Sequence, residues 1–135
     1  MIKRIGHTAY YVKDMNKSLT FYCNILGFEK AFELHKENGE PWIVYIKVAE
    51  RQSIELFYDG QEGSNKVDRA VGYHHLCLEV NDIDQIAQHV KAKGLSLESG
   101  PKKGIDGNYQ CWIKDPDGNP IEFMQLIPGS PHVNN

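Results

Sequence analysis

The chain carries a rough copy of itself. GHTAYYVKDM, from Gly6 to Met15, recurs as HHLCLEVNDI, from His74 to Ile83, and SIEL, from Ser53 to Leu56, recurs as PIEF, from Pro120 to Phe123. Nearly the same offset relates both pairs: His75 lies 68 positions after His7, and Glu122 lies 67 after Glu55. A chain built this way is constrained to fold as two like modules, and any chemistry that one module carries is repeated in the other. Each copy brings one histidine and one glutamate.

The local pattern gives the same order of elements twice. Ile5 to Val12 alternates like a strand, with Ile5, His7, Ala9 and Tyr11 on one face. Asp14 is placed to cap a helix that runs to a stop at Gly27. Strands are expected over Phe28 to His35, from Pro41 through WIVYIKV, and over Ser53 to Tyr58. In the second half, strands are expected over His74 to Val80, Leu95 to Glu98, Tyr109 to Lys114 and Pro120 to Leu126. Asp82 caps a helix ending at Gly94, GPKKGIDGN reads as a loop, and DPDGN reads as a strong turn. The expected fold is α+β: two tandem βαβββ modules whose curled sheets surround a metal-centred cavity, with the helices outside. The expected divisions are a first module at 1–58, a linker at 59–72, a second module at 73–127 and a loose Pro- and Asn-rich tail at 128–135.

Bulk properties narrow the partners. With 41% hydrophobic and 24% charged residues the composition is that of an ordinary globular domain. A net charge of −3 and scattered Lys and Arg give no footprint for nucleic acid, and no stretch approaches the ~20 apolar residues of a membrane helix. The opening MIKRIGHTAYYV enters a strand pattern at once and leaves no room for a signal peptide. Cys23, Cys77 and Cys111 are widely spaced, which suits reduced thiols in the cytoplasm that act as small buried hydrophobes.

Taken singly, the four repeated residues have ordinary readings. A strand histidine such as His7 is commonly hydrogen-bonded or exposed, and Glu55 or Glu122 can face solvent. Each glutamate, however, lies among large apolar residues, where an unpaired carboxylate costs several kcal/mol to bury. His75 competes with its neighbour His74, but the repeat selects His75, because His7 and His75 each precede a valine by five positions. His74 is then expected on the opposite face as a strand-surface residue. Two imidazoles and two carboxylates suit a divalent ion of borderline hardness, such as zinc, nickel, cobalt, iron or manganese. Such an ion polarises a carbonyl, and a carboxylate that leaves it can serve as a base.

At these residues the chain resembles the vicinal-oxygen-chelate superfamily, and within it glyoxalase I, the lactoylglutathione lyases. The resemblance covers about Ile5 to Gln125 and rests on GHTAYYVKDMNKSLTFYCNILGF, SIELFY, YHHLCLEV and KDPDGNPIEF. It implies metal ligands at His7, Glu55, His75 and Glu122, with Glu122 as the mobile base and Glu55 as its counterpart. It implies conversion of a 2-oxoaldehyde–thiol hemithioacetal to a 2-hydroxyacyl thioester by enediolate proton transfer. It further implies nickel or cobalt in preference to zinc, manganese or iron, and a homodimer in which His7 and Glu55 of one chain meet His75 and Glu122 of the other. A related epimerase or isomerase acting on a substrate other than a glutathione adduct, and a non-catalytic small-molecule binding module, are the alternatives.

The same resemblance marks three substrate contacts. Tyr11 stands where the family has a glutathione-binding Arg, Asp59 where it has an Asn, and Lys103 matches a family lysine in the GPxKG loop. Losing a cation and adding an anion weakens recognition of a tripeptide with two carboxylates. Trp42 and Trp112 fall on strands, where they read as packed core aromatics or as cavity lining.

Overall fold

A computed structural model describes residues 1–63 and 68–133. It divides into two units, Met1–Ala70 and Val71–Asn135, each with its own four-stranded mixed sheet. The fold is α+β, as the duplicated pattern predicts. Residues 64–67 of the expected linker, and 134 and 135 of the expected tail, lie outside the described residues. Among the described residues no helix is long and apolar enough to cross a membrane.

In the first unit the strands are β1 (His7–Tyr11), β2 (Glu29–His35), β3 (Pro41–Ala49) and β4 (Gln52–Phe57), ordered β1-β4-β3-β2. β1 runs parallel to β4, and the other pairings are antiparallel. The helix α1 (Met15–Leu19) starts at Asp14, whose carboxylate accepts the Lys17 N–H at 3.1 Å. The α-helix expected to continue to Gly27 widens instead into a π-helical turn over Thr20–Ile25, with the Leu26 N–H donating to the Phe21 carbonyl. This wider turn carries two consecutive buried aromatics, Phe21 and Tyr22, packed edge to face at 4.9 Å. One face of the sheet is core: Val44, Ile46, Ile54 and Leu56 are at most 2% exposed. Each such burial contributes roughly 1.5–3 kcal/mol. The register puts His7, Ala9 and Tyr11 of β1 on the other face, alongside Ser53, Glu55 and Phe57 of β4 and Tyr45 of β3.

The second unit repeats the plan with β5 (Leu76–Glu79), β6 (Ser99–Lys103), β7 (Tyr109–Lys114) and β8 (Pro120–Gln125), ordered β5-β8-β7-β6. Again the first strand runs parallel to the last, and the rest is antiparallel. α2 (Ile83–Ala92) is capped by Asp82, which accepts the Gln85 N–H at 2.9 Å. Its buried Ile83, Ala87 and Val90 recur at helical spacing, and the helix packs on β6, β7 and β8. DPDGN forms the β7–β8 turn. The buried Asp115 accepts the N–H groups of Asp117 and Asn119 at 2.9 and 2.8 Å and the Asn119 side-chain amide at 2.9 Å.

Two sequence expectations shift here. β5 is shorter than expected, so His74 and His75 precede it. The strand expected at Leu95 to Glu98 does not form, and β6 runs from Ser99 into GPKKGIDGN, which reads as a loop. Gly-Pro suggested a break, but β6 is an edge strand that absorbs both residues in an irregularity between Ser99 and Lys102. Gly100 suits that place: its φ is +81°, and a Cβ there would lie 2.5 Å from the Gln110 carbonyl oxygen. Beyond β8 the chain turns back on Asn108, which is 1% exposed. Its side-chain oxygen accepts the Ile127 N–H at 2.9 Å, and its amide lies 3.0 Å from His132 Nδ1.

Candidate metal centre

Each unit pairs one histidine with one buried glutamate. In the first, β1 and β4 are in register with Ala9 beside Glu55, so His7, two residues earlier, lies on the same face one step along. His7 Nδ1 is 3.3 Å from Glu55 Oε1; the imidazole is half exposed and the carboxylate buried. In the second, Cys77 is the register partner of Glu122, and His75 again comes two residues earlier. His75 Nε2 is 2.9 Å from Glu122 Oε2, with the carboxylate buried to the same degree. The offset seen in the sequence is thus one strand register used twice.

Both separations suit an imidazole N–H donating to a carboxylate. They also suit neighbouring ligands on one ion, since donors held about 2.1 Å from a metal lie about 3 Å apart on adjacent octahedral positions and about 3.4 Å apart on a tetrahedron. Among the described residues no three or more His, Cys, Asp or Glu side chains are arranged to hold a metal ion, so the candidate ligands of each half are one histidine and one glutamate.

Further groups stand beside the carboxylates, and the sequence reading did not single them out for this role. Tyr45 stands opposite Glu55 on β3. The neighbouring Glu55 carboxylate, and then burial, raise the phenol above its ordinary range. The Tyr45 ring stacks on Phe32 at 4.2 Å and 20°. Cys77 stands beside Glu122 on β5. Although the residue keeps an exposed surface, desolvation first and then the Glu122 charge push its thiol up to about 12. Trp112, opposite Glu122 on β7, gives its indole N–H to Gln110 at 2.6 Å and lies 4.7 Å from the His75 ring. These positions were legible only by counting across the strands from each glutamate.

His74 does not lead a life apart on the opposite face. Its Nδ1 is 2.6 Å from His75 Nδ1, because both residues precede β5 and escape its alternation. One Nδ1 donates and the other accepts, while His75 Nε2 faces Glu122. Of the other expected residues, Tyr11 ends β1 on the His7 face, exposed, with its ring 5.3 Å from Phe57. Asp59 follows β4, exposed and with φ +64°. Lys103 pairs with Tyr109, on the face of Cys111 and Ile113, whereas Lys102 pairs with Gln110 on the face of Trp112. Trp42 is 42% exposed and is not a core residue. Trp112 borders a cavity of about 320 Å³ that His74, Ser99 and Pro120 also line, with the Lys114–Glu98 ion pair at 3.5 Å beside it. Of the cysteines, Cys111 is buried, Cys23 half-buried and Cys77 exposed.

Residues 4–123 match the family model described as Glyoxalase/Bleomycin resistance protein/Dioxygenase superfamily. The chain is 35% identical over 124 residues to a protein of a Synechocystis strain named probable lactoylglutathione lyase, covering 88% of this chain and 92% of that one. A Vibrio parahaemolyticus protein of the same name is 30% identical over 127 residues, covering 90% of each. Among solved structures, a glyoxalase family protein from Enterococcus faecalis matches with a TM-score of 0.77 and 27% identity, covering 90% of this chain and 97% of that one.

Proposed function

The chain belongs to the glyoxalase/bleomycin resistance protein/dioxygenase superfamily, and we propose that within it the chain is a metal-dependent lyase of the glyoxalase I kind. It converts a 2-oxoaldehyde–thiol hemithioacetal to a 2-hydroxyacyl thioester. The observation that carries this reading is the duplicated pair: one imidazole and one buried carboxylate at 3.3 Å in the first unit, and at 2.9 Å in the second. Lactoylglutathione lyase names among the relatives support it.

The donor set fits a divalent ion. His7, Glu55, His75 and Glu122 would hold it, nickel or cobalt before zinc, manganese or iron. When bound, the ion supplies a positive charge beside the two neighbouring substrate oxygens, which acidifies the adjacent C–H and stabilises the charge left behind. The protein residues do the rest. Glu122 takes the proton from C1 and returns it at C2, and general-base transfer of this kind is worth about 10²–10⁴-fold. Glu55 stays in place as the counterpart carboxylate. His74 holds the His75 ring through its Nδ1. Two copies of the chain share each centre in this proposal, His7 and Glu55 of one joining His75 and Glu122 of the second, and the enzyme works in the cytoplasm.

Tyr11 and Asp59 favour a thiol with less anionic charge than glutathione. An exposed Asp59 carboxylate follows β4 and Tyr11 stands where a cation would serve a dianionic tripeptide, so Lys47 is left as the cation on the His7 face among the described residues. The test is turnover of methylglyoxal adducts of several thiols by protein loaded in turn with nickel, cobalt, zinc and manganese. Thioester formation with at least one thiol, dependent on metal, is the expected result. Full metal loading with no turnover of any adduct would remove the lyase reading and favour an isomerase or epimerase acting beside a carbonyl.

A further inference from the structure

The two halves repeat the histidine and the glutamate but do not hold the histidine alike. The His7 imidazole is 50% exposed and lies 3.3 Å from Glu55, whereas the His75 imidazole is 29% exposed and lies 2.9 Å from Glu122. His75 also has two ring neighbours. His74 Nδ1 is 2.6 Å from its Nδ1, and the Trp112 ring meets it edge to face, with centroids 4.7 Å apart and planes at 68°. Each half places one aromatic residue opposite its glutamate: Tyr45 opposite Glu55, Trp112 opposite Glu122. The Tyr45 ring stacks flat on Phe32 of β2, at 4.2 Å and 20°. Among the described residues only Trp112 meets its histidine.

Trp112 is itself locked. Its indole N–H donates to Gln110 Oε1 at 2.6 Å, and Gln110 lies two residues earlier on the same face of β7. The Gln110 amide is hemmed in by the loop between β6 and β7, because a Cβ at Gly104 would lie 2.6 Å from its nitrogen. A chain of contacts thus runs from the loop backbone through Gln110 and Trp112 to His75. An imidazole held in this way has less rotational freedom to lose on becoming a ligand, and what it does not lose appears as affinity.

We infer that His75 and Glu122 form the preorganised half of the centre, and that Trp112, locked by Gln110, is the positioning residue that makes them so. The ion seats first on this half, and His7 and Glu55 then complete its shell. This rests on the metal-centred reading above and adds to it an order of assembly and two residues, Gln110 and Trp112, that act on the metal through His75.

The test changes Gln110 and leaves every ligand in place. Gln110→Met keeps the length of the side chain and removes the acceptor, whereas Gln110→Glu keeps an acceptor oxygen. NMR relaxation of the imidazole carbons in metal-free protein should show the His75 ring more ordered than the His7 ring. That order should drop to the His7 level in Gln110→Met and persist in Gln110→Glu. Cobalt affinity, read by competition with a chromophoric chelator, should fall about 10-fold in Gln110→Met, the lower end of the usual cost of losing a partner of a ligand. Far-UV circular dichroism and melting confirm that both variants are folded. Equal order of the two rings in wild type, or a Gln110→Met variant that matches wild type in ring order or in cobalt affinity, would overturn the inference while leaving the metal-centred reading intact. A wild-type chain that binds no divalent ion would remove both.

Discussion

The DPDGN turn joins β7 to the strand that carries the second carboxylate, and Asp115→Ala tests whether it is what sets the β7–β8 register. That register places Trp112 opposite Glu122. The Asp115 side chain accepts three hydrogen bonds at 2.8–2.9 Å and is 5% exposed. Bonds to a charged acceptor contribute roughly 1.5–3 kcal/mol each, but they are not additive and the half-buried turn can rehydrate. A net loss of about 2–4 kcal/mol follows. Asp115→Asn keeps the oxygen that serves the two backbone N–H groups and loses the partner of the Asn119 amide, so about 1 kcal/mol is expected. Urea unfolding in a Trp42→Phe background, with Trp112 fluorescence as the probe, reads the second unit alone. A stability for Asp115→Ala within about 0.5 kcal/mol of its parent would refute the reasoning, as would Asn and Ala variants of equal stability.

Glu122→Gln should lower turnover of the metal-loaded enzyme by about 10²–10⁴-fold while some metal stays bound, measured by thioester formation and metal analysis; wild-type turnover in that variant would disprove its role as base. Burial pushes the Cys111 thiol up to about 11 from 9.0, so the folded state keeps a proton that the unfolded chain has already lost. Its contribution to stability is complete below about pH 9 and disappears as the pH rises through about 11. Urea midpoints measured across that range should therefore fall more steeply in wild type than in Cys111→Ala, and parallel slopes would contradict this. Asp82→Ala removes the acceptor of the Gln85 N–H and should cost about 1 kcal/mol in the same unfolding assay.

Much of the fold was legible because the signals were local. Alternation found β1, β3, β4, β7 and β8 to within a residue or two, and Asp14 and Asp82 do cap helices. The repeat chose His75 over His74, and the structure pairs His75, not His74, with Glu122. Tertiary packing decided the remainder. Gly100-Pro101 reads as a loop in isolation, and only an edge position beside β7 makes it part of a strand. The buried pair Phe21 and Tyr22 goes with a π turn that helical periodicity does not signal. Tyr45 and Cys77 became visible once register set them beside the glutamates. The composition of residues 128–135 suggests a loose end and does not reveal that His132 lies 3.0 Å from the buried Asn108 amide.

Metal stoichiometry tests the centre most directly. Wild-type protein, stripped with a chelator, reloaded with nickel and desalted, should retain one ion per chain by elemental analysis. His7→Ala/Glu55→Ala and His75→Ala/Glu122→Ala should each retain none, because the proposed centre needs both pairs to complete one coordination sphere. Nickel that stays bound after either pair is removed, or a wild-type chain that retains no divalent ion at all, would contradict a shared four-ligand centre.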